Sequence, residues 1–362
     1  MFDIVKLKLK KILSNTLIYS LLKSHGLIKR WFKPLKKFEQ NENNLLFDED
    51  FYLENYPDVR ASGMKALQHY LLYGRYEGRK YNKKQDCMCF PTGHYYSPIV
   101  NLDEIRQREH EIWVDPGFVV MSAIDLNINY QKSLIEKFSI FYKEIPFPDR
   151  KDNTYRYFYQ NPAFSYSDAI ILYSVIRYFE PSNIIEVGSG YSSALILDSL
   201  DLLSRPDVNV TFIEPYNEKL LSLISENDKK RVLILKDKLE YISLDFFNQL
   251  DMNDILFIDS THIVKTGSDV NCLLLSILPN LKKGVFIHFH DIFFPFEYPK
   301  EWVYEGRSWN EAYFLRSFLM FNKSFKILLF SDFLHKLHPE CFSQMPNCYK
   351  NTGGSLWLCK VD

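Results

Sequence analysis

The sequence predicts an α/β protein built on a doubly wound parallel sheet, with a small helical extension at its N-terminus. Three observations predict the sheet. From about residue 90, apolar runs of strand length alternate with helix-length segments, a pattern typical of a parallel sheet with helices on both faces. The predicted strands are continuously apolar, as expected when both faces are buried. The first strand ends in EVGSGYSS, whose glycines allow a ligand close to the backbone.

The predicted elements of this part follow one another in a regular order. The strands are 183–187, 209–214, 231–235, 254–259, 284–291, 325–330 and 355–360. The main helices between them are 167–179, 193–203, 268–281 and 309–321. Ligands of such sheets bind at the carboxyl ends of the strands, so the residues that follow the strands are the candidates for function.

The composition of the 362-residue chain excludes several classes of protein. It is 46% hydrophobic with a formal net charge of −1, which argues against bulk binding of nucleic acid. Its six cysteines show no spacing typical of zinc, so we expect reduced thiols in a cytoplasmic protein. Its apolar runs are shorter than the roughly 18–20 residues that span a bilayer.

The N-terminal extension has two parts. Residues 1–43 predict a basic amphipathic helical segment, in which lysines interrupt the apolar stretches. The pattern favours docking on the protein itself or on a partner, and peripheral contact with the anionic inner face of the membrane is the alternative. Residues 44–85 predict a small two-helix module, in which Asp48 caps the first helix, Gly63 marks a break and Gly74 ends the second helix.

This module resembles a small helical module found beside glycosyltransferases and other enzymes of bacterial surface-polysaccharide assembly. The matching residues are Phe47, Tyr52, Tyr56, Pro57, Asp58, Val59, Gly63, His69, Tyr70, Gly74, Glu77, Gly78 and Arg79. The resemblance implies a cellular context and no chemistry of its own.

The turn after the first predicted strand indicates a nucleotide site. Gly188 and Gly190 allow close approach, but Ser193 stands where a dinucleotide fingerprint has its third glycine. Glu186 lies two residues before Gly188. Glu214 ends the second predicted strand, where a carboxylate can accept both hydroxyls of an unphosphorylated ribose. Each acid taken alone could equally be a solvent-facing residue.

Taken together, EVGSGYSS, FIEP, LILKD, DILFIDSTH and GGSLWLCK resemble class I S-adenosylmethionine-dependent methyltransferases, from about residue 93 to residue 359. GHYYSP, NPAFSYSDA, FIDSTHIVKTGSDVN and HFHDIFFPFEYP resemble a bacterial O-methyltransferase-like subfamily often encoded with surface-glycan enzymes. The resemblance implies a Rossmann-like seven-stranded sheet of order 3-2-1-4-5-7-6 with the last strand antiparallel. It implies a donor site formed by Glu186, Gly188, Ser189, Gly190, Tyr191, Ser192, Glu214 at the ribose, Asp237 near the adenine, and Asp259.

The next two strands predict a catalytic cluster. Asp259 ends the fourth strand, and His290 and Asp291 end the fifth. Resemblance to catechol-type O-methyltransferases implies that these three residues are ligands of a divalent metal, either magnesium or manganese. His290 stands where that family has an oxygen ligand, and imidazole suits manganese, iron or zinc better than magnesium. The alternative is that Asp291 holds the strand end and His290 is a neutral polar contact.

His262 is the candidate general base. It lies three residues after Asp259, at the spacing where the catechol-type enzymes have a lysine. A histidine with an ordinary pKa of about 6.5 can accept a proton from the acceptor at neutral pH. The alternative is hydrogen bonding within the 259–268 loop, and Lys265 is the second candidate base.

The aromatic loop 293–313 follows the fifth strand, where loops usually cover the acceptor. Trp302, Tyr304, Arg307 and Trp309 suit stacking and hydrogen bonding with a sugar, although ordinary packing predicts the same residue types.

The function that the sequence favours is O-methylation of a sugar hydroxyl in a cell-surface glycan or its precursor, with S-adenosylmethionine as donor. The polysaccharide context rests on association alone. A NAD(P)-dependent sugar oxidoreductase is an alternative, although the third loop glycine and a clear hydride-transfer site are lacking. A non-catalytic binding module of a polysaccharide-assembly complex is another.

Overall fold

The computed structural model of the chain describes residues 47–74, 77, 79–82 and 90–362. These residues fall into two compact units, which divide between Val100 and Asn101. The predicted basic segment 1–43 lies outside the described residues, and so does Gly78 of the module. Within the described ranges, no helix combines the length and the apolar character needed to cross a bilayer.

The described residues of the first unit form three short helices, Glu49–Asn55 (α1), Pro57–Ser62 (α2) and Ala66–His69 (α3), with a π-helical turn at Tyr70–Gly74. Asp48 caps α1 as predicted, since its side chain accepts a hydrogen bond from Phe51 N. The sequence predicted two helices. The structure adds one because Pro57 does not merely stop α1 but occupies the first turn of α2, where its missing N–H costs nothing.

The second unit contains the remaining helices and all seven strands. The helices are Leu102–Gln107 (α4), Glu109–Ile112 (α5), Ile128–Phe141 (α6), Tyr166–Phe179 (α7), Tyr191–Leu202 (α8), Glu218–Leu223 (α9), Glu226–Arg231 (α10), Asp269–Cys272 (α11), Leu278–Asn280 (α12), Lys300–Tyr304 (α13), Glu311–Leu319 (α14) and Ser331–Leu337 (α15). The strands are Asn183–Val187 (β1), Asn209–Ile213 (β2), Val232–Leu235 (β3), Ile255–Ile258 (β4), Phe286–Phe289 (β5), Phe325–Phe330 (β6) and Leu356–Lys360 (β7).

The seven strands form one sheet of order β3-β2-β1-β4-β5-β7-β6, which confirms the fold expected from the sequence. Strands β1 to β5 are parallel, whereas β7 pairs antiparallel with both β5 and β6. All residues of β4 and β5 are buried, as their continuous apolar character predicted. The carboxyl ends of β1, β2, β4 and β5 therefore meet at one edge of the sheet.

The predicted helix 268–281 is interrupted in the structure. It consists of α11, a π-helical segment at Leu273–Ile277, and α12. Pro279 lies in α12 and has no backbone N–H, so the hydrogen-bond ladder that a continuous helix needs is broken before it. A wider π-helical turn accommodates the interruption.

A buried ionic cluster connects the loop before α7 to α8 and α10. Arg156 donates hydrogen bonds to Asp198 at 2.6 Å and to the two carboxylate oxygens of Asp228 at 2.6 and 2.8 Å. A fourth hydrogen bond, at 2.8 Å, is donated to Asp201. The carboxylates of Asp198 and Asp228 are only 2% exposed, so each depends on the guanidinium to offset the cost of burying its charge.

We expect Arg156→Met to lower the free energy of unfolding by about 3–5 kcal/mol, because it leaves the buried Asp198 without a cationic partner and Asp228 with Arg231 alone, at 3.1 Å. Arg108→Met is the matched control. Arg108 pairs with Glu111 at 2.7 Å, but both side chains are at least half exposed, so its loss should cost no more than about 1 kcal/mol. Urea denaturation of the three proteins measures both effects. Similar losses in the two variants would contradict a stabilising role for the buried cluster.

Candidate active site

The glycine turn after β1 lies directly against the end of β4. Gly188 has φ +81°, and a Cβ placed on it would lie 1.8 Å from the carbonyl oxygen of Asp259. Only glycine can therefore hold this turn at its observed position. Two further backbone bonds join the strand ends: Gly188 N donates to Ile213 O at 3.0 Å, and Asp259 N donates to Val187 O at 2.9 Å. The turn thus joins the ends of β1, β2 and β4 in one place.

Glu214 lies at this junction, as the sequence predicted. One carboxylate oxygen accepts a hydrogen bond from Ser189 N at 3.1 Å, and the other accepts from Tyr216 N at 2.7 Å. The side chain is half-buried at the end of β2, beside the glycine turn. Its contact with a ribose remains a prediction.

Glu186 is fully buried and faces the beginning of α8. Its two oxygens accept hydrogen bonds from the hydroxyls of Ser192 at 2.5 Å and Ser193 at 2.6 Å. Burial outweighs these two bonds and raises the pKa of Glu186 to about 8. In this geometry the hydrogen bond between Glu186 and Ser192 stabilises the turn from its buried side. Their predicted contact with a donor would require these bonds to be exchanged.

The other predicted donor residues stand nearer the surface. Tyr191 begins α8, and its hydroxyl accepts a hydrogen bond from Lys219 Nζ at 3.0 Å while the ammonium lies 4.2 Å from the ring centroid. Gly190 N donates to Ser193 Oγ at 3.0 Å. Asp237 is exposed, two residues after β3. The roles predicted for these residues at the methionine and adenine parts of a donor remain predictions.

Three side chains converge beside the glycine turn. The Nε2 atom of His262 lies 3.4 Å from Asp259 Oδ1 and 3.8 Å from Asp291 Oδ2. One ligand atom from each residue lies within 4.8 Å of the others. The imidazole is 4% exposed, whereas the carboxylates of Asp259 and Asp291 keep 34% and 19% of their side-chain surface. This Asp259–His262–Asp291 cluster therefore opens to solvent through its two carboxylates.

The predicted metal set is corrected at one residue, since His262 and not His290 converges with the two aspartates. His290 is buried with its ring centroid 5.2 Å from that of Phe164, and its Nδ1 has no hydrogen-bond partner among the described residues. Its Nε2 lies 3.5 Å from Asp291 Oδ1. Both residues follow the last residue of β5, and Asp291 has φ +58°, so the chain leaves the extended conformation there. The side chain of Asp291 reaches the cluster, whereas His290 is buried in the core.

The protonation state of His262 differs from the expectation. Burial disfavours the charged ring, but hydrogen bonds and charge from Asp259 and Glu311 outweigh burial and raise the pKa of His262 to about 10. The same contacts lower the pKa of Asp259, against the effect of its own burial. An imidazolium cannot accept a proton, so the predicted general-base role of His262 at neutral pH is not supported. Lys265 is exposed and stands outside the group of converging ligand atoms.

The aromatic loop divides into two groups. The guanidinium of Arg307 lies 4.0 Å from the ring centroid of Trp302 and 5.0 Å from that of Trp309. Trp309 also packs on His262, with ring centroids 4.3 Å apart. Tyr304 is in a separate group, because its hydroxyl donates to Glu109 on α5. Trp302, Arg307 and Trp309, three of the four residues predicted to contact the acceptor, therefore form a stack that begins at His262. Tyr304 instead joins the loop to α5.

Sequence reasoning missed Glu311, which contacts His262 from the first residue of α14. An acidic residue in the first turn of a helix is common, because it faces the positive end of the helix dipole. The local sequence therefore carried no signal that this carboxylate points inward. Only the pairing of two residues 49 positions apart reveals its role.

Residues 185–292 match the family model of a methyltransferase domain, from β1 to just past the end of β5. The match includes the glycine turn and the whole Asp259–His262–Asp291 cluster, whereas the aromatic loop and Glu311 lie beyond it.

Similar proteins include one from Archaeoglobus fulgidus, described as uncharacterized, which is 29% identical over 171 residues, or 46% of this chain and 76% of that protein. Among solved structures, the O-methyltransferase TomG from Streptomyces achromogenes, in complex with SAM, is 13% identical with a TM-score of 0.36, covering 72% of this chain and 97% of that chain. The SAH-bound methyltransferase PaMTH1 from Podospora anserina is 15% identical with a TM-score of 0.35, covering 65% and 94%.

We expect Gly188→Ala to lower the free energy of unfolding more than Gly306→Ala. Both glycines have φ +81°, so both substitutions strain the backbone equally, by about 1 kcal/mol. Only the new Cβ at residue 188 would meet backbone, since nothing lies within 4 Å of the one at residue 306. Chemical denaturation measures the difference. Equal losses would show that the turn can move away from Asp259 at no cost.

We expect the native protein to lose stability, relative to Glu186→Gln, as the pH rises from about 4.5 to about 8. Within this window the unfolded chain ionises Glu186 while the folded protein keeps it protonated, so a rise in pH favours unfolding. Denaturation midpoints of both proteins across a pH series measure this effect. A difference between the two proteins that stays constant over the window would rule out a protonated Glu186 in the folded state.

Proposed function

We propose that this chain is an S-adenosylmethionine-dependent O-methyltransferase. The observation that carries the proposal is the contact between Gly188 and the carbonyl oxygen of Asp259, within the residues that match the family model of a methyltransferase domain. It brings a turn suited to a nucleotide donor into the same cleft as two carboxylates and an imidazole. A donor bound across the ends of β1 and β2 would present its methyl group toward this cluster.

The donor would be held mainly by groups of the turn. Ser189, Gly190 and Tyr191 line the entry to α8, where backbone N–H groups favour a carboxylate such as that of methionine. Glu214 can exchange its bonds to Ser189 N and Tyr216 N for the two ribose hydroxyls. Asp237, exposed after β3, would meet the adenine.

The transfer itself is an in-line displacement at the methyl carbon. The acceptor oxygen forms a bond to that carbon as the carbon–sulfur bond breaks, the sulfonium becomes a neutral thioether, and the acceptor proton leaves to a base. Positioning of the two reactants accounts for much of the rate of such a reaction. The Asp259 carboxylate keeps 34% of its side-chain surface exposed beside the turn, so it can accept the hydroxyl's hydrogen bond and act as the base.

The cluster also fits a divalent cation. Two carboxylate oxygens and one imidazole nitrogen, all within 4.8 Å of one another, form a donor set suited to such an ion. A cation bound by Asp259, His262 and Asp291 would displace the proton from His262 Nε2 and would lower the pKa of an acceptor hydroxyl. The protein's own contribution is to hold the three side chains together and to keep one side of the cluster open.

The acceptor we favour is a sugar hydroxyl of a cell-surface glycan or of its precursor. The stack of Trp302, Arg307 and Trp309 next to His262 offers apolar ring faces and a cation, which suit the apolar face and the hydroxyls of a sugar. The resemblance of residues 44–85 to modules of polysaccharide assembly supports the same class of acceptor. The N-terminal basic segment would hold the enzyme near its acceptor at the inner face of the membrane.

We expect titration calorimetry to detect binding of S-adenosylhomocysteine and no binding of NAD(P)H. Glu214→Gln should weaken S-adenosylhomocysteine binding about 10- to 100-fold, because a charged hydrogen bond contributes about 1.5–3 kcal/mol. Glu218→Gln is the matched control, since Glu218 lies on the neighbouring helix α9 with its side chain 75% exposed. NAD(P)H binding would instead favour a sugar oxidoreductase, and binding of neither ligand would favour a non-catalytic module.

The acceptor class has its own test. Mass spectrometry of the host's surface glycan, with and without the gene, should show a difference of one methyl group. An unchanged glycan from a host whose protein binds S-adenosylhomocysteine would refute the glycan acceptor and leave methyl transfer in place.

A further inference from the structure

Glu311 is a buried carboxylate that contacts the cluster through His262 alone. Its Oε2 lies 2.8 Å from His262 Nδ1, and the residue is 1% exposed. Its other oxygen, Oε1, has no hydrogen-bond partner among the described residues. A buried carboxylate with one oxygen unpaired is costly, so general stability does not explain its presence.

Backbone hydrogen bonds from the beginning of α14 also hold His262 in position. The N–H groups of Asn310 and Glu311 both donate to His262 O at 3.1 Å. The side chain of Asn310 bonds the loop again, accepting from Val264 N at 2.6 Å and donating to Val264 O at 3.2 Å. His262 has φ +58°, an uncommon conformation for a residue other than glycine, and these bonds from the start of α14 maintain it.

The orientation of the imidazole ring is determined as well. Trp309 packs against it at 4.3 Å between ring centroids, with the ring planes at 37°. In this contact an ionised Glu311 can only accept a hydrogen bond, so Oε2 pairs with a hydrogen on Nδ1. The Nε2 atom is thereby directed at Asp259 and Asp291. A carboxylate that fixes the far nitrogen of an imidazole is the arrangement that orients histidine ligands in metal sites.

We infer that Glu311 is a positioning residue that makes His262 Nε2 a metal ligand, so that the cluster selects a borderline transition cation such as Mn²⁺, Fe²⁺ or Zn²⁺ over Mg²⁺. This inference rests on the proposed function, because it assigns the nature of the cation in that same site. The chemical reason is that Mg²⁺ prefers an all-oxygen environment, whereas these transition cations bind imidazole readily. The hydrogen bond to Glu311 also increases the electron density of the ring and strengthens its bond to a cation.

The test measures binding of Mn²⁺ and Mg²⁺ to the full chain by calorimetry, with Glu311→Gln, His262→Gln and the double variant. The wild type should bind Mn²⁺ more tightly than Mg²⁺. Glu311→Gln should weaken Mn²⁺ binding about 10- to 100-fold, as typical for loss of a group that orients a ligand, and should leave Mg²⁺ binding nearly unchanged. In the His262→Gln background, Glu311→Gln should have little further effect on Mn²⁺ binding, because the side chain through which it acts is gone.

Three controls make the result specific. Glu301→Gln, an exposed acid in α13, should leave all cation affinities unchanged. Binding of S-adenosylhomocysteine by each variant shows that the fold is retained. In the wild type with Mn²⁺ bound, pulsed electron paramagnetic resonance should detect coupling to an imidazole nitrogen, and this signal should be lost in His262→Gln.

Several outcomes would overturn the inference. They are equal affinity for Mn²⁺ and Mg²⁺, no cation binding by a wild type that binds S-adenosylhomocysteine, and equal effects of Glu311→Gln in both backgrounds. Failure of the wild type to bind S-adenosylhomocysteine would overturn the proposed function instead, so the two failures are distinguishable.

Discussion

The close approach of Gly188 to the carbonyl oxygen of Asp259 is the constraint on which the site depends. It leaves no room for a side chain and brings the turn after β1 against the end of β4. The turn proposed to bind the donor and the acid cluster, which lie on separate strands, are thereby brought side by side at one edge of the sheet. The hydrogen bonds from Ser192 and Ser193 to the buried Glu186 stabilise the turn, and so does the hydrogen bond from Ser189 N to Glu214.

The charged side chains of the site surround the imidazole of His262. Three carboxylates surround one imidazole, and the hydrogen bonds and charge of two of them, Asp259 and Glu311, outweigh the cost of burying its positive charge. Two of them, Asp259 and Asp291, retain an open side, whereas Glu311 is sealed behind the ring. The imidazole therefore separates a solvent-facing pair of acids from a buried acid. A cation could therefore reach the cluster from solvent, on the side where Asp259 and Asp291 are exposed.

Much of the architecture was predictable because its signals are local. Continuous apolar runs located every strand to within two residues at each end, and glycine and acidic residues marked the strand ends that form the site. The interruption of the predicted helix 268–281 was less predictable, because apart from Pro279 this segment has the apolar spacing of a continuous helix. The presence of His262 in place of His290 was missed because His262 and Asp291 both adopt positive φ in the loops after β4 and β5, which strand patterning does not reveal.

The sequence by itself determined the order of strands and helices, the glycine turn, and the placement of Asp259 and Asp291 at the ends of β4 and β5. These features follow from hydrophobic patterning and backbone requirements that each short segment carries. Only the tertiary structure decided that His262 completes the cluster, that its ring is protonated, and that Glu311 lies behind it. Those properties arise from burial and from charges contributed by distant segments, and no single segment carries them.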